Sequence, residues 1–173
     1  LISVRNQNTL FWIDRDSGEI EWAVGQYGDF EMDLDALFQR QHAPQILEEG
    51  TILLFDNGWL GEEQVLESRG YSRAVEYALN FDAEGEPLSA EIVWLYEDAA
   101  LYAKSRSEAD RLENGNTLLT YSVLDDTRES LLREVTPSGE VVWDLRTPSG
   151  WNIYRSERIH ELSHGFILLG EGD

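Results

Sequence analysis

A chain of 173 residues can bury one ordinary core, and at 42% hydrophobic with 11% aromatic it is too apolar to stay disordered. Its formal net charge of −21 repels nucleic acid and anionic membrane surfaces, because phosphate binding rests on Lys and Arg. The chain has no cysteine, which excludes disulfides and thiolate metal sites, and no apolar run approaches the ~20 residues that cross a bilayer.

The chain opens inside a strand, Leu1–Arg5, which predicts that the natural N-terminus lies further upstream. Thr9–Asp14 (TLFWID) and Glu19–Val24 (EIEWAV) are two more strands, separated by the turn Arg15–Gly18 (RDSG). Aromatic and β-branched runs bounded by Asp, Ser and Gly carry that signature. Residues 25–41 are acidic and rich in glycine. Leu34, Leu37 and Phe38 have the spacing of one short helical turn, so this segment is predicted to be a loop with a brief helix.

The next unit spans 42–97. Gln45–Leu47 and Thr51–Phe55 pair around Glu-Glu-Gly, and His42 stands just ahead of the first of them. A long polar excursion follows Asp56-Asn57-Gly58, of the kind that often carries function. Ser72–Asn80 and Glu91–Tyr96 complete four strands. Residues 98–146 repeat the plan with RLENGNTLLTYS, SLLREVTP and GEVVWDLR, and 151–173 begin it again.

The internal repeat is the strongest structural signal. Gly50, Gly115 and Gly165 each follow a leucine three residues back, and each precedes an apolar pair (Leu53-Leu54, Leu118-Leu119, Leu168-Leu169). Each unit closes on EIEW, EIVW or EVVW, ending at Trp22, Trp94 and Trp143. The interval from Trp94 to Trp143 is close to the ~40–50 residues of a four-stranded blade, and the longer one before it accommodates an insertion. The expected fold is all-β. It consists of β-propeller blades of four antiparallel strands, three to four of them over residues 1–173, as one part of a larger ring. A sandwich of short strands is the runner-up. Ile52–Phe55 and Thr117–Thr120 are expected on inner strands. The three tryptophans are expected buried between blades in equivalent places.

An ordered series of segments carries a resemblance over nearly the whole chain: LISVRNQNTLFWIDRDSGEIEWAVG, QHAPQILEEGTILLFDNG, SRAVEYALN with EIVWLY, RLENGNTLL, GEVVWDLR and GWNIYRSERI. The chain resembles the bacterial arylsulfate sulfotransferases, which use no nucleotide sulfate donor. The resemblance implies a six-bladed propeller with its active site at the mouth of the central channel. It implies an aryl sulfate donor, a phenol acceptor, no cofactor, and a periplasmic or extracellular location. It also implies a histidine sulfated in transit, and His42 matches that nucleophile. Asn8 matches the family's asparagine. Asn6 stands where active members carry a second histidine, and it can donate a hydrogen bond but cannot carry charge. The family's arginine after this segment has no counterpart in WAVGQYGDF.

A neutral imidazole can attack sulfur, displace a phenolate and hold the sulfuryl group for an acceptor. The group spreads its charge over three oxygens, so donors must surround it. Arg69 and Arg73 flank the long loop and are candidates to bind substrate, while Arg106, Arg155 and Arg158 lie near the later inner strands. His160 and His164 flank a predicted tight turn, and an ordinary turn is the better reading than a metal pair. Asp33 with Asp35, and Asp125 with Asp126, lack the spacing of an EF-hand, so no metal site is expected. The alternative function is a non-catalytic propeller that binds protein partners, or its own copies, in an extracellular assembly.

Overall fold

The computed structural model describes residues 1–59 and 68–159. They form eleven strands in three antiparallel sheets. The first sheet holds β1 (Ile2–Val4), β2 (Thr9–Ile13) and β3 (Ile20–Gly25), in that order. The second holds β4 (His42–Ile46), β5 (Ile52–Asp56), β6 (Arg73–Phe81) and β7 (Pro87–Glu97). The third holds β8 (Glu108–Arg111), β9 (Thr117–Tyr121), β10 (Leu131–Val135) and β11 (Val141–Arg146). Both four-stranded sheets follow chain order, so every connection is a simple hairpin. The all-β expectation holds, and no closed ring forms among the described residues.

The register of β5 explains its sequence. Ile52 and Leu54 join a core shared with Leu10, Val24, Phe30 and Phe38 of the first unit. Leu53 and Phe55 join a second core with Leu119, Tyr121 and Leu131 of the third sheet. Successive side chains of a strand point to opposite faces, so a strand between two neighbours must be apolar on both. All five β5 residues are buried, and so are all five of β9.

Ile52–Phe55 and Thr117–Thr120 lie on interior strands, β5 and β9, as expected, with β4 and β8 at the edges. Two expectations need correction. The first strand of the second unit starts at His42 rather than Gln45, so His42 lies in the sheet, opposite Phe55. Residues 34–36 make a turn closed by Ala36 N–H donating to Asp33 C=O at 3.0 Å, with no helix. Leu34 is exposed, so the apolar spacing there had no face to bury.

The closing motifs share one local feature. Opposite Trp12–Ile13, Glu76–Tyr77 and Glu134–Val135, the partner strand carries one extra residue. Those extra residues are Glu21, Val93 and Val142, each just before the tryptophan. A bulge of this kind bends the strand and re-aims the following side chain.

What the tryptophans meet differs. Trp22 stacks on Trp12 at 5.3 Å between ring centroids and meets Phe30 and Phe81 edge-on, reaching the second sheet. Trp94 Nε1 donates to Pro137 C=O at 2.9 Å, and Arg111 lies over its ring at 4.6 Å, both from the third unit. Trp143 is 41% exposed, contrary to expectation, because no described sheet packs on β11. Trp22→Ala should therefore cost about 3 kcal/mol in chemical denaturation. Trp143→Ala should cost about 1 kcal/mol or less in the same chain. Equal losses at both positions would contradict this placement.

Candidate active site

Three residues lead into His42, and each is pinned by a different element. Gln39 N–H donates to Asp56 Oδ1 at 2.8 Å. Arg40 N–H donates to Asn8 Oδ1 at 2.8 Å. Gln41 is fully buried, and its Nε2 donates to Ser3 Oγ at 3.0 Å and Thr9 C=O at 3.1 Å. The ladder between β4 and β5 slips by one residue between His42 and Gln45, at Ala43 and Pro44. Proline has no N–H to donate, so a break in pairing there is expected.

Backbone strain gathers at the same place. Asn8, Arg40, Ala43, Arg106 and Ser107 all have positive φ, from 48° to 75°. Left-handed conformations cost non-glycine residues energy and persist only where the surroundings enforce them. Asn8 and Asp56 enforce the first approach. Asn57 enforces the second, with Nδ2 donating to Ala103 C=O at 2.6 Å and Arg106 C=O at 3.2 Å. Ser107 Oγ then accepts from Ser122 N–H at 3.0 Å.

Around the half-buried His42 ring stand Tyr154, Arg5, Arg155, Ser107 and Glu108. Tyr154 Oη lies 3.3 Å from Nε2, and the two rings meet edge-on at 5.6 Å. Nδ1 is buried and makes no well-aligned hydrogen bond among the described residues. Burial pushes the imidazole pKa below its usual value, and the nearby Arg155 and Arg5 push the same way. The Ser107 backbone and Glu108 act against them without prevailing.

Four of the chain's 13 basic residues form this neighbourhood: Arg5, Arg40, Arg106 and Arg155. Arg5 donates through NH2 to Lys104 C=O at 2.7 Å and through NH1 to Asn6 Oδ1 at 3.4 Å. Arg40 also bonds Asn6 Oδ1. Burial, then the adjacent Arg40 charge, lowers the Arg5 pKa. The Arg5 Nε is buried without a hydrogen-bond partner among the described residues. Arg106 lies 5.9 Å over the Tyr154 ring. Arg155 is held by Glu108 through Nε at 3.0 Å and NH2 at 2.6 Å. Such gathered positive charge, with donors left over, suits an oxyanion.

The sequence-derived candidates divide in two. Asn6 and Asn8 act on the residues that flank His42: Asn6 bridges Arg5 and Arg40, and Asn8 sets the Arg40 backbone while its Nδ2 donates to Gln26 Oε1 at 2.7 Å. Arg69 and Arg73 converge instead on the buried Asp56, at 2.6 and 2.9 Å. They also donate to the carbonyls of Ala36 and Leu37. Burial disfavours the Arg73 charge, but Asp56, with Tyr77 and Tyr71, offsets it and the pKa rises. Both arginines thus brace the segment that delivers His42. Arg158 pairs with Glu134 at 2.6 Å, and Asp125 with Lys104 at 3.1 Å. Among the described residues, no group of three His, Asp or Glu has the geometry to hold a metal. His160 and His164 lie outside the described residues.

Sequence reasoning missed Arg5, Arg40, Ser107, Glu108 and Tyr154. A signal for some was available. Arg40-Gln41-His42 and Arg106-Ser107-Glu108 each put an arginine two residues ahead of the first residue of a strand. The structure pairs His42 with Phe55 and Glu108 with Thr120, so the two occupy matching edge positions.

No curated protein matches the chain. The family model described as Arylsulfotransferase (ASST) matches residues 1–155, which include every residue of the site just described. The chain therefore belongs to the arylsulfotransferase family.

Proposed function

We propose that this chain transfers a sulfuryl group from an aryl sulfate to a phenol through a sulfated His42. The family supplies the substrate class. The observation that carries the reading is a half-buried histidine beside Arg5 and Arg155, in a chain whose net charge is −21. General solubility gives no reason to collect cations at one point of so acidic a protein.

The chemistry runs in two steps. His42 Nε2 attacks sulfur; the N–S bond forms and the S–O bond to the donor breaks, releasing a phenolate that takes a proton from solvent. Nδ1 keeps its proton, with the Ser107 backbone beside the ring favouring the protonated form. The acceptor phenol oxygen then attacks the same sulfur. Its proton leaves to solvent and the imidazole lone pair returns, which is a ping-pong cycle. Arg5, Arg40, Arg106 and Arg155 meet the negative charge that spreads over the sulfuryl oxygens.

The depressed pKa has a consequence for pH. The ring must be neutral to attack, and its pKa lies below the ordinary value near 6.5. The acid limb of phenol release should have its midpoint below about 6.5. A midpoint above 6.5 would contradict the desolvated His42.

The sheets fit the blades of a propeller. β1 neighbours β4, and β4 and β5 neighbour β8, so the early strands of successive sheets adjoin. In a ring, that arrangement puts the strand starts, and His42 with them, at one mouth of the channel. A periplasmic or extracellular location goes with this reading through the family resemblance. One observation favours the second reading, a non-catalytic binding module: Glu108 already engages Arg155 beside His42. Turnover of an aryl sulfate by the full-length protein separates the two, and absence of turnover in a folded chain would sink the enzyme.

A further inference from the structure

Tyr154 is itself a phenol. Its oxygen stands 3.3 Å from His42 Nε2, where an acceptor oxygen would have to arrive. The residue sits on the irregular segment after β11. That segment is clipped to the third sheet through Ile153 N–H donating to Ser130 Oγ at 2.9 Å, and through Trp151 C=O accepting from Thr147 Oγ1 at 2.9 Å and from Ser130 Oγ at 3.1 Å. The clip places the residue, which is itself 55% exposed. Arg106 lies over it at 5.9 Å, and Arg155 is the next residue.

We propose that Tyr154 is a modification site, an internal acceptor that takes the sulfuryl group from His42 when no free phenol is present. The proposal rests on the reading of His42 as the sulfated nucleophile. A sulfuryl group on Nε2 needs more room than 3.3 Å, and outward rotation of Tyr154 supplies it. Tyr154 Oη then attacks sulfur. The Oη–S bond forms, the Nε2–S bond breaks, the imidazole recovers its lone pair, and the phenolic proton leaves to solvent. The net reaction converts aryl sulfate and tyrosine into phenol and tyrosine O-sulfate. Holding the acceptor beside the nucleophile replaces a bimolecular encounter with a local one, worth a high effective concentration. Arg106 and Arg155 meet the charge of the new ester. That ester is again an aryl sulfate beside His42, so transfer back reloads the histidine once a phenol arrives.

The test incubates full-length protein with 4-nitrophenyl sulfate and no acceptor. A mild acid wash then strips any sulfuryl group bound to imidazole, and peptides are weighed. The expected result is one acid-resistant sulfuryl group on the peptide holding Tyr154, lost severalfold when phenol is added before the wash. Tyr154→Phe should lack it. An acid-resistant label of equal strength in Tyr154→Phe overturns the proposal. So does a wild type that releases nitrophenol yet carries label on His42 alone, an outcome that leaves sulfuryl transfer standing. A wild type that releases no nitrophenol and takes no label overturns the transfer reading, and the internal acceptor with it.

Discussion

His42→Ala should lose sulfuryl transfer by on the order of 10⁴–10⁶-fold, the scale on which removing a covalent nucleophile acts. The loss should fall on turnover rather than on substrate affinity. The arginines proposed to hold the sulfate oxygens are anchored independently of the imidazole: Arg5 on Lys104, Arg40 through its backbone on Asn8, and Arg155 on Glu108. Stability should change little, because the ring is only half-buried and its Nδ1 makes no well-aligned bond that truncation would break. Initial rates with an aryl sulfate and a phenol, with thermal unfolding as a control, check this. A variant that retains wild-type turnover would remove His42 from the mechanism.

Asp56→Ala should be the most damaging single truncation for folding, at about 3–5 kcal/mol. The carboxylate is fully buried at the end of β5. Oδ1 accepts from Gln39 N–H at 2.8 Å and Gly58 N–H at 3.0 Å. Oδ2 accepts from Arg69 at 2.6 Å and Arg73 at 2.9 Å. Truncation leaves two arginines with little solvent access and without this counter-ion, and removes an acceptor shared by two backbone donors. It also unpins Gln39, three residues ahead of His42, so activity should fall more steeply than the folded fraction. Urea unfolding at neutral pH measures the stability loss, and rates corrected for folded fraction measure the rest. A loss under about 1 kcal/mol would mean that the arginines find other partners.

Most strands were legible as short apolar runs bounded by turns, and β5 and β9 as segments buried on both faces, whereas β8, Glu-Ala-Asp-Arg, has no apolar run to mark it. The closing tryptophans were legible as a repeat. What each one meets was not, because that depends on the next sheet: Trp22 has Phe30 and Phe81, while Trp143 has no described sheet over it. The short helix near Leu34 failed because three apolar residues at helical spacing form a helix only if there is a surface to cover, and Leu34 faces solvent.

The site was half legible. Asn6 and Asn8 bond to Arg5 and Arg40, on the segments that adjoin His42. Arg69 and Arg73 lie beside a long loop, yet Asp56 sits opposite Arg73 in the β5–β6 register and claims both. A strand pairing that joins residues 17 positions apart is not visible from local sequence. Arg5 and Tyr154 were missed for the same reason. Tyr154 reaches His42 across 112 positions of chain, through a segment with no regular structure to announce it.

The central claim is that sulfur is carried on His42, and a rapid quench tests it most directly. Full-length protein is mixed with a saturating aryl sulfate without acceptor, quenched in alkali at the earliest times, and digested. The peptide spanning Gln41–Ile46 should carry one sulfuryl group on His42, appearing with the first phenol released and before any slower label elsewhere. Phenol released in a burst with no sulfuryl group on that peptide at any time would contradict the account.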